Sequence, residues 1–280
     1  MSRFDVHQHF LPPAALGALR ARREPPRLAG RTLELREGSF PLDERAHDLG
    51  ERLALLDRDG IDVAIVSLAP TLETEAHPEL RDAYHEGILE TVAAANGRLR
   101  ALAAGECLPG FAGACVSAGA VVAGLGGLPD ELARAGQVLF VHPGPPRRPP
   151  GGAPPWWASV VDYTAQMQAA YFSWIAAGER YGDLPIVFAI LAGGAPAQLE
   201  RLRACEQRDR GELPAAVHLD AATYGRRALE LCVETVGAGH LVYGSDVPVV
   251  DSAPTLQAVA QLGEAVREAV YSDNPARLFR

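Results

Sequence analysis

The chain contains no lysine, and all 26 of its basic residues are arginine. Without lysine there is no Schiff-base nucleophile, no anchor for pyridoxal phosphate and no lysine for a phosphate-binding loop. The same absence removes a lysine carbamate as a bridge between two metal ions. If the chain has a metal site, this absence favours a single ion over a pair of ions.

Cysteine, positive charge and long apolar runs are also scarce. The four cysteines show no Cys-x-x-Cys spacing, which predicts reduced thiols in a cytoplasmic protein and no disulfide framework. The net charge of −9 argues against a nucleic-acid partner, since phosphate binding needs a concentrated basic patch. No apolar run approaches the roughly 18 to 20 residues of a membrane span, and the N-terminus lacks a signal-peptide core, so we expect no membrane association.

The 280 residues alternate between apolar strand patterns and amphipathic helix patterns. Eight such units predict an α/β fold, a (β/α)8 TIM barrel formed by one domain over residues 1–280. Residues 10–43 are predicted to be an excursion after strand one, with a small exposed hairpin at 31–36. Residues 143–157 are predicted to be a proline-rich loop over the barrel mouth.

Three local predictions concern the helices and strands of this pattern. In the fourth unit, a short helix at 111–118 is predicted to precede a strand at 120–123. Arg52 lies in an amphipathic stretch at 42–59, where it is predicted to be a surface charge. Gly193 and Gly194, with Pro196, are predicted to open the helix that follows strand six.

The polar residues of interest follow predicted strands. His7 and His9 are separated by one residue on an extended segment, so their side chains point the same way. His142 follows strand five, and Asp246 follows strand eight. Catalytic groups of a TIM barrel lie at the C-terminal ends of its strands. Three imidazoles and a carboxylate at these positions form a suitable ligand set for Zn²⁺ or a similar divalent ion. Given their order and positions, this interpretation is favoured over four unrelated polar residues at strand ends.

Four segments of the chain resemble one enzyme family. The sequence is similar to the amidohydrolase superfamily, and within it to the branch of aminocarboxymuconate semialdehyde decarboxylase and related aromatic-acid decarboxylases. The segments are DVHQHF at 5–10, LFVHP at 139–143, YGSDVP at 243–248 and NPARLF at 274–279. The resemblance implies one divalent ion, Zn²⁺ or Mn²⁺, held by His7, His9, His142 and Asp246.

One position departs from that family. The decarboxylases usually carry a histidine at the end of strand six, before a Gly-Gly turn, and this chain has Ile190 there. An isoleucine cannot move a proton. Another group takes that role, or the reaction differs, or the protein is a weak enzyme. His218 is the nearest replacement, because it shares a strand face with Asp220 if strand seven alternates regularly; a structural histidine is an equal alternative.

Two residues of the proline-rich loop are candidates for substrate binding. Arg147 is predicted to grip a substrate carboxylate, and Trp156 to pack on a planar substrate. The alternative is a solvated loop whose tryptophans plug the rim of the barrel, which is the interpretation favoured for Arg148.

These observations lead to two hypotheses about function. The first is a cytoplasmic, mononuclear metal enzyme that acts on a small organic acid, aromatic or unsaturated, by non-oxidative decarboxylation or by hydrolysis. Asp246 would be both ligand and proton carrier. The second is a catalytically weak barrel that binds a small ligand, and Ile190 favours it. A homodimer is expected from the general frequency of such assemblies.

Overall fold

The computed structural model describes residues 1–147, 150–177, 181, 184–206 and 213–279. Its main sheet has eight strands, each paired in parallel with its neighbours. The order of the strands in this sheet is their order along the chain, and the three strands between the first and the second of them form a separate sheet. The strands are β1 (Phe4–His9), β5 (Val63–Ser67), β6 (Leu99–Ala104), β7 (Gly113–Ser117), β8 (Val138–His142), β9 (Ile186–Phe188), β10 (Val217–Asp220) and β11 (Leu241–Val242).

The sheet closes where β1 meets the segment after β11. The Val6 N–H donates to the Tyr243 carbonyl at 2.9 Å, and the Asp246 N–H donates to the His7 carbonyl at 2.8 Å. Glycine is required at this seam, because a Cβ on Gly244 would lie 2.7 Å from the Cβ of His7. The predicted (β/α)8 barrel is therefore confirmed.

Helices connect the strands and cover the outside of the barrel, so the strands are apolar on both faces. All five residues of β8 are buried. The helices of the barrel are Leu49–Asp59, Pro78–Ala94, Ala118–Ala123, Leu128–Ala135, Tyr163–Ala177, Leu199–Glu206, Arg226–Val236, Ala253–Ala260, Glu264–Glu268 and Asn274–Leu278. No helix among the described residues combines the length and the apolar character needed to cross a membrane.

The excursion after strand one is more structured than predicted. It contains a helix, Pro13–Ala21, and a three-stranded antiparallel sheet of β2 (Arg27–Ala29), β3 (Thr32–Leu35) and β4 (Gly38–Pro41). The predicted hairpin belongs to this sheet. Its second turn, between β3 and β4, consists of residues 36 and 37, and we call it the hairpin tip.

The prediction for the fourth unit was wrong. Residues 113–117 form the strand and Ala118–Ala123 form the helix, the reverse of the predicted order. The whole stretch is small and apolar, so its periodicity does not separate helix from strand. Long-range packing decides, since a Cβ on Gly113 would lie 2.0 Å from the Val138 carbonyl oxygen of β8.

The chain leaves β9 through a left-handed turn. Five consecutive residues have positive φ, from 46° at Ile190 to 76° at Gly194. Left-handed backbone costs roughly 1–2 kcal/mol for each residue with a side chain, and three of the five are not glycine. The predicted helix start at Gly193 is therefore replaced by this turn, after which come a 3₁₀ segment, Ala195–Gln198, and the helix Leu199–Glu206.

Candidate metal centre

Four side chains from three strand ends meet inside the barrel mouth, and we call them the centre: His7, His9, His142 and Asp246. One donor atom from each lies within 4.8 Å of the others. The Nε2 atoms of His7 and His9 are 3.3 Å apart. Asp246 Oδ1 lies 3.5 Å from Nε2 of His7 and 3.1 Å from Nε2 of His9. The sequence prediction named these four residues, and the structure brings all of them together.

Each imidazole of the centre is held by a contact at its outer nitrogen. Nδ1 lies 2.8 Å from Asp220 Oδ2 in His7, 3.4 Å from the Ser67 carbonyl in His9, and 2.8 Å from the Pro143 carbonyl in His142. A carboxylate or carbonyl oxygen only accepts hydrogen bonds, so Nδ1 of His7 and of His142 carries a proton. Nδ1 of His9 also lies 3.3 Å from the Ser67 hydroxyl, which can donate or accept. With the proton at Nδ1, the Nε2 lone pair is free and points inward, which is the tautomer that a metal ligand requires.

Asp220 joins the centre to the left-handed turn. Its Oδ2 accepts from His7, while its Oδ1 accepts from the backbone N–H groups of Ile190 (3.0 Å) and Ala222 (2.8 Å). The carboxylate is completely buried, so these three donors fix its position. Asp220 therefore sets both the tautomer and the orientation of the His7 ring.

Arg52 supports the segment that carries His7 and His9. The prediction of a surface charge was wrong, because Arg52 is only 1% exposed. Its guanidinium donates to Gln8 Oε1 at 2.8 Å and to the carbonyls of His9 at 3.0 Å and Ala46 at 2.8 Å. A helical pattern indicates which face of a helix is polar, but it does not reveal buried carbonyl groups that need a donor.

Asp5 completes this support beneath the barrel mouth. Its carboxylate accepts from the Gln8 side chain at 2.7 Å and from the backbone N–H groups of His7 and Ser245 at 3.2 and 3.0 Å. Burial raises the pKa of Asp5 to about 6, against the lowering effect of these hydrogen bonds. The contacts tie strand one to the segment after β11, so the two halves of the centre are held in register.

The electrostatic field of the centre favours a cation. Burial lowers the pKa of His7, but the carboxylates of Asp220 and Asp246 outweigh it and raise that pKa to about 9. Burial raises the pKa of Asp246, and His7, His9 and His142 outweigh it and lower that pKa to about 2. Burial and the neighbouring histidines hold the pKa of His142 well below its usual range. The two carboxylates therefore favour positive charge at His7, which a divalent ion would supply in place of the second ring proton, and Asp246 stays ionised as a ligand.

The donor set fits a divalent ion. Two ligands of a tetrahedral ion bound at about 2.0–2.1 Å lie about 3.3–3.4 Å apart, and the three separations among His7, His9 and Asp246 are 3.1, 3.3 and 3.5 Å. With the donor atom of His142 included, all four lie within 4.8 Å of one another. Asp246 Oδ1 is buried and accepts no hydrogen bond from any described residue. An orphaned anionic oxygen among inward-facing nitrogen lone pairs is the feature that an ion would satisfy.

Ile190 begins the left-handed turn at the end of β9. Its side chain is 8% exposed, and its backbone N–H reaches Asp220. The backbone at this position thus supports the centre through Asp220. The side chain adds only an apolar surface and no proton-transfer group.

His218 lies away from the four residues of the centre. Its Nδ1 is 3.2 Å from the Ala216 carbonyl, and its ring lies 6.2 Å from the ring of His240, before β11. Burial lowers the pKa of His218 to about 4. The catalytic role of His218 stays a prediction that none of these contacts supports, and Asp220 is the β10 residue that contacts the centre.

The two candidates of the proline-rich loop are also described, whereas Arg148 lies outside the described residues. Arg147 Nε donates to Asp162 at 2.7 Å, although the Arg147 side chain is 78% exposed. Trp156 is 55% exposed and stacks on Trp157 with 6.4 Å between ring centroids. Substrate contacts by Arg147 and Trp156 therefore stay predictions.

Sequence reasoning missed the residues that hold the centre in position. In the sequence, Asp220 stands out only as a neighbour of His218, and Asp5 only as part of the segment at 5–10. Both carboxylates lie in strands predicted to be buried. A charged group in a buried strand needs hydrogen-bond or ion-pair partners, and this requirement could have indicated their structural role. The contact between Arg52 and Gln8 joins residues 44 positions apart, and no local pattern indicates it.

Comparisons with known proteins identify the family and the fold of this chain. The amidohydrolase family model matches residues 4–280. The search of curated proteins found no match. Among solved structures, the chain is similar to apo IDCase of Metarhizium anisopliae, with a TM-score of 0.77 and 18% identity over 100% of this chain and 97% of that one.

Two further structures are aromatic-acid decarboxylases. The 2,6-dihydroxybenzoate decarboxylase from Rhizobium has a TM-score of 0.70 and 18% identity, over 100% of this chain and 98% of that one. The other is the 5-carboxyvanillate decarboxylase of Novosphingobium aromaticivorans, complexed with manganese and 4-hydroxy-3-methoxy-5-nitrobenzoic acid. It has a TM-score of 0.72 and 17% identity, over 99% of this chain and 96% of that one. With the family model matching nearly the whole chain, this protein belongs to the amidohydrolase family.

Proposed function

We propose that this protein is a mononuclear metal-dependent enzyme that removes carbon dioxide from a small aromatic carboxylic acid. The observation that carries the proposal is the centre itself, in which three inward-facing Nε2 atoms and one carboxylate oxygen lie within 4.8 Å of one another. Similarity to decarboxylases of 2,6-dihydroxybenzoate and 5-carboxyvanillate supports the reaction and the substrate class.

The four residues of the centre would hold the ion, which we propose to be Zn²⁺ or Mn²⁺. Mixed imidazole and carboxylate ligands suit both metals, and manganese is bound in one similar structure. When bound, the ion supplies Lewis-acid stabilisation for the negative charge that develops on substrate oxygens.

The residues of this chain prepare that site before substrate arrives. Asp220 holds the proton of His7 at Nδ1, and Arg52 fixes the carbonyl of His9. The Asp246 side chain is 13% exposed, whereas the side chains of His7 and His9 are 0% and 7% exposed. Asp246 is thus the member of the centre that faces incoming molecules, and we propose that it carries a proton as well as binding the ion.

Hydrolysis of a C–N or C–O bond is a second candidate, and Ile190 favours it. A hydrolase of this type can work with an ion, water and one carboxylate, whereas decarboxylation needs a proton donor that Ile190 does not provide. A barrel that binds a small ligand with little turnover is the remaining alternative. The membership of a family whose similar structures are enzymes argues against it.

Metal content and turnover together test the proposal. Elemental mass spectrometry would be performed on wild type and on His142→Ala, purified without chelators, with His77→Ala as a matched control. His77 contacts Arg22 near the excursion and not the centre. We expect about one ion per chain in wild type and control, and loss of the ion in His142→Ala. A wild type that stays metal-free after supplementation would contradict the site.

The reaction is then assigned with a substrate panel. Metal-loaded wild type would be incubated with hydroxybenzoates, methoxybenzoates, aryl lactones and aryl amides, with detection of released carbon dioxide and of ring products. Release of carbon dioxide from a carboxylate supports decarboxylation, and cleavage of a lactone or amide supports the second candidate. Saturable binding without turnover would support the ligand-binding alternative.

A further inference from the structure

Decarboxylation leaves an unfilled role in the centre described above. When a ring carbon loses carbon dioxide, the electron pair of the broken C–C bond stays on that carbon, which must then receive a proton. Ile190 has no proton to give, and Asp246 would have to combine proton transfer with binding the ion. The inference below rests on the proposed decarboxylation and identifies a group that completes it.

A carboxyl group with an unused oxygen lies in the hairpin tip. Glu37 Oε1 accepts a hydrogen bond from the Tyr163 hydroxyl at 2.9 Å. Glu37 Oε2 is buried and has no partner within the part of the chain that the structure describes. A buried carboxylate oxygen without a donor is costly, whereas a protonated one can serve as a donor to a bound molecule. This oxygen is the only buried carboxylate atom outside the centre that lacks a partner among the described residues.

The contacts of the hairpin tip attach it to the loops of the barrel mouth. Arg36 forms a bidentate salt bridge with Glu73, in which Nε donates to Oε1 at 3.0 Å and Nη2 donates to Oε2 at 2.6 Å. Glu73 follows β5. Tyr163 begins the helix Tyr163–Ala177, which follows β8 and the proline-rich loop. Both attachment points therefore lie beyond the C-terminal ends of strands, on the side of the barrel that carries the centre.

Tyr163 connects the hairpin tip electrostatically with the centre. Burial raises the pKa of its phenol, and the negative charges of Glu37, Asp162 and Asp246 raise it further. The charge of Asp246 is one of those that act on this phenol, which agrees with the position of Tyr163 beyond the end of β8, on the side of the barrel that carries the centre. A Tyr163 hydroxyl that keeps its proton is a fixed donor to Glu37 Oε1, which leaves Oε2 as the oxygen that can bind a proton.

We propose that Glu37 is the proton donor of the decarboxylation and that Tyr163 positions it. The carboxyl proton on Oε2 passes to the ring carbon as the bond between that carbon and the carboxylate breaks. The two electrons of the broken C–C bond form the new C–H bond. Carbon dioxide leaves, Glu37 becomes a carboxylate, and solvent returns its proton. The excursion, which is separate from the barrel strands, thus supplies the function that Ile190 lacks.

The charges that face Glu37 agree with this role. Burial raises its pKa, and the charge of Glu73 acts in the same direction. Hydrogen bonds from its own backbone N–H and from Tyr163, and the charge of Arg36, act in the opposite direction without cancelling the increase. Glu37 therefore keeps its proton to a higher pH than an ordinary glutamate does.

The decisive variant is Glu37→Gln, in which the amide oxygen still accepts from Tyr163 but no acid proton is available. We expect metal content and KM to stay close to wild type and kcat to fall about 10²-fold or more, the usual contribution of general acid catalysis. Glu34→Gln is the matched control, because Glu34 lies on β3 and pairs with Arg27. We expect it to turn over substrate as wild type does.

The pH profile supplies an independent readout. In wild type, kcat/KM should fall as pH rises through the pKa of Glu37, because the acid form is required, and this limb should vanish in Glu37→Gln. Glu37→Asp, which keeps an acid on a shorter side chain, should restore part of the activity. Infrared difference spectra of wild type against Glu37→Gln should show a protonated carboxyl band that persists above the ordinary pKa of glutamate.

The outcomes separate this inference from the proposed function. If wild type loads metal and releases carbon dioxide but Glu37→Gln keeps its rate within about threefold and its pH profile, Glu37 is not the donor and the decarboxylase proposal stands. If metal-loaded wild type releases no carbon dioxide from any carboxylate, both fail. Loss of activity in Glu37→Gln with loss of metal would also refute the inference, because the effect would then be structural.

Discussion

Exchanging Asp220 for asparagine should weaken metal binding without unfolding the protein. Asp220 Oδ1 accepts from two backbone N–H groups, those of Ile190 and Ala222, so the oxygen of an asparagine side chain would turn toward them. The amide NH₂ would then face Nδ1 of His7, where Oδ2 now accepts. His7 would have to move its proton to Nε2, the atom that faces the other members of the centre.

The expected magnitude follows from the number of contacts changed. Loss of an outer hydrogen-bond partner of a metal ligand costs about 10–100-fold in metal affinity, which corresponds to about 1.4–2.7 kcal/mol. In Asp220→Ala the two backbone N–H groups also lose their acceptor, at about 1–3 kcal/mol each. We therefore expect Asp220→Asn to lose metal affinity with little loss of metal-free stability, and Asp220→Ala to lose both.

Two measurements check this expectation. Competition with a chromophoric chelator gives the metal dissociation constant, and urea unfolding of the metal-free proteins gives the free energy of unfolding. Asp57→Asn is the control, since that carboxylate is 67% exposed and pairs with Arg98 at the surface. An Asp220→Asn protein that binds metal within about threefold of wild type would refute the role of Asp220 in setting the His7 tautomer.

Three further variants probe the support of the centre. Arg52→Leu leaves two buried acceptors and one half-buried acceptor without a donor, and urea unfolding should show a loss on the order of 3 kcal/mol; an unchanged midpoint would contradict this. Gly244→Ala puts a Cβ 2.7 Å from the Cβ of His7, so metal content and thermal stability should both fall, and retention of both would be contrary to the barrel seam described here. Burial lowers the pKa of His47 to about 3, so the unfolded chain binds more protons and stability is lost as pH falls from about 6.5 toward 3. His47→Asn keeps an acceptor for the Leu11 N–H and should reduce that slope by up to about 1.4 kcal/mol per pH unit, whereas an identical slope in equilibrium unfolding would argue against it.

The barrel and the centre were predictable because both depend on short sequence patterns. A His-x-His pair on a strand places two rings on one face by the geometry of extended backbone, and strand ends of a TIM barrel converge. His142 is the last residue of the apolar strand β8, and Asp246 follows the apolar strand β11 after three residues, so both lie at strand ends. These predictions needed no knowledge of which helix packs on which strand.

The misplaced elements depend on contacts between distant residues. The strand that begins at Gly113 packs closely against β8, and only a residue without a Cβ fits there. Arg52 is buried where its guanidinium donates to Gln8 and to the His9 carbonyl. The excursion's sheet is short, and strands of three or four residues carry little periodic signal. Glu37 was not predicted because its contact also joins distant parts of the chain: its partner Tyr163 lies 126 positions further along.

The left-handed turn explains how the barrel tolerates Ile190. A β-branched residue at φ 46° is strained, and such strain persists only where the surrounding structure enforces it. Here the Ile190 N–H is held by Asp220, and the Gly193 carbonyl is held by the Gln168 side chain at 2.7 Å. The backbone of the turn is thus needed to position Asp220 and, through it, His7, whatever side chain residue 190 carries. Because the turn's structural role is separate from any chemistry of that side chain, proton delivery can move to a group such as Glu37 while the four-residue centre stays intact.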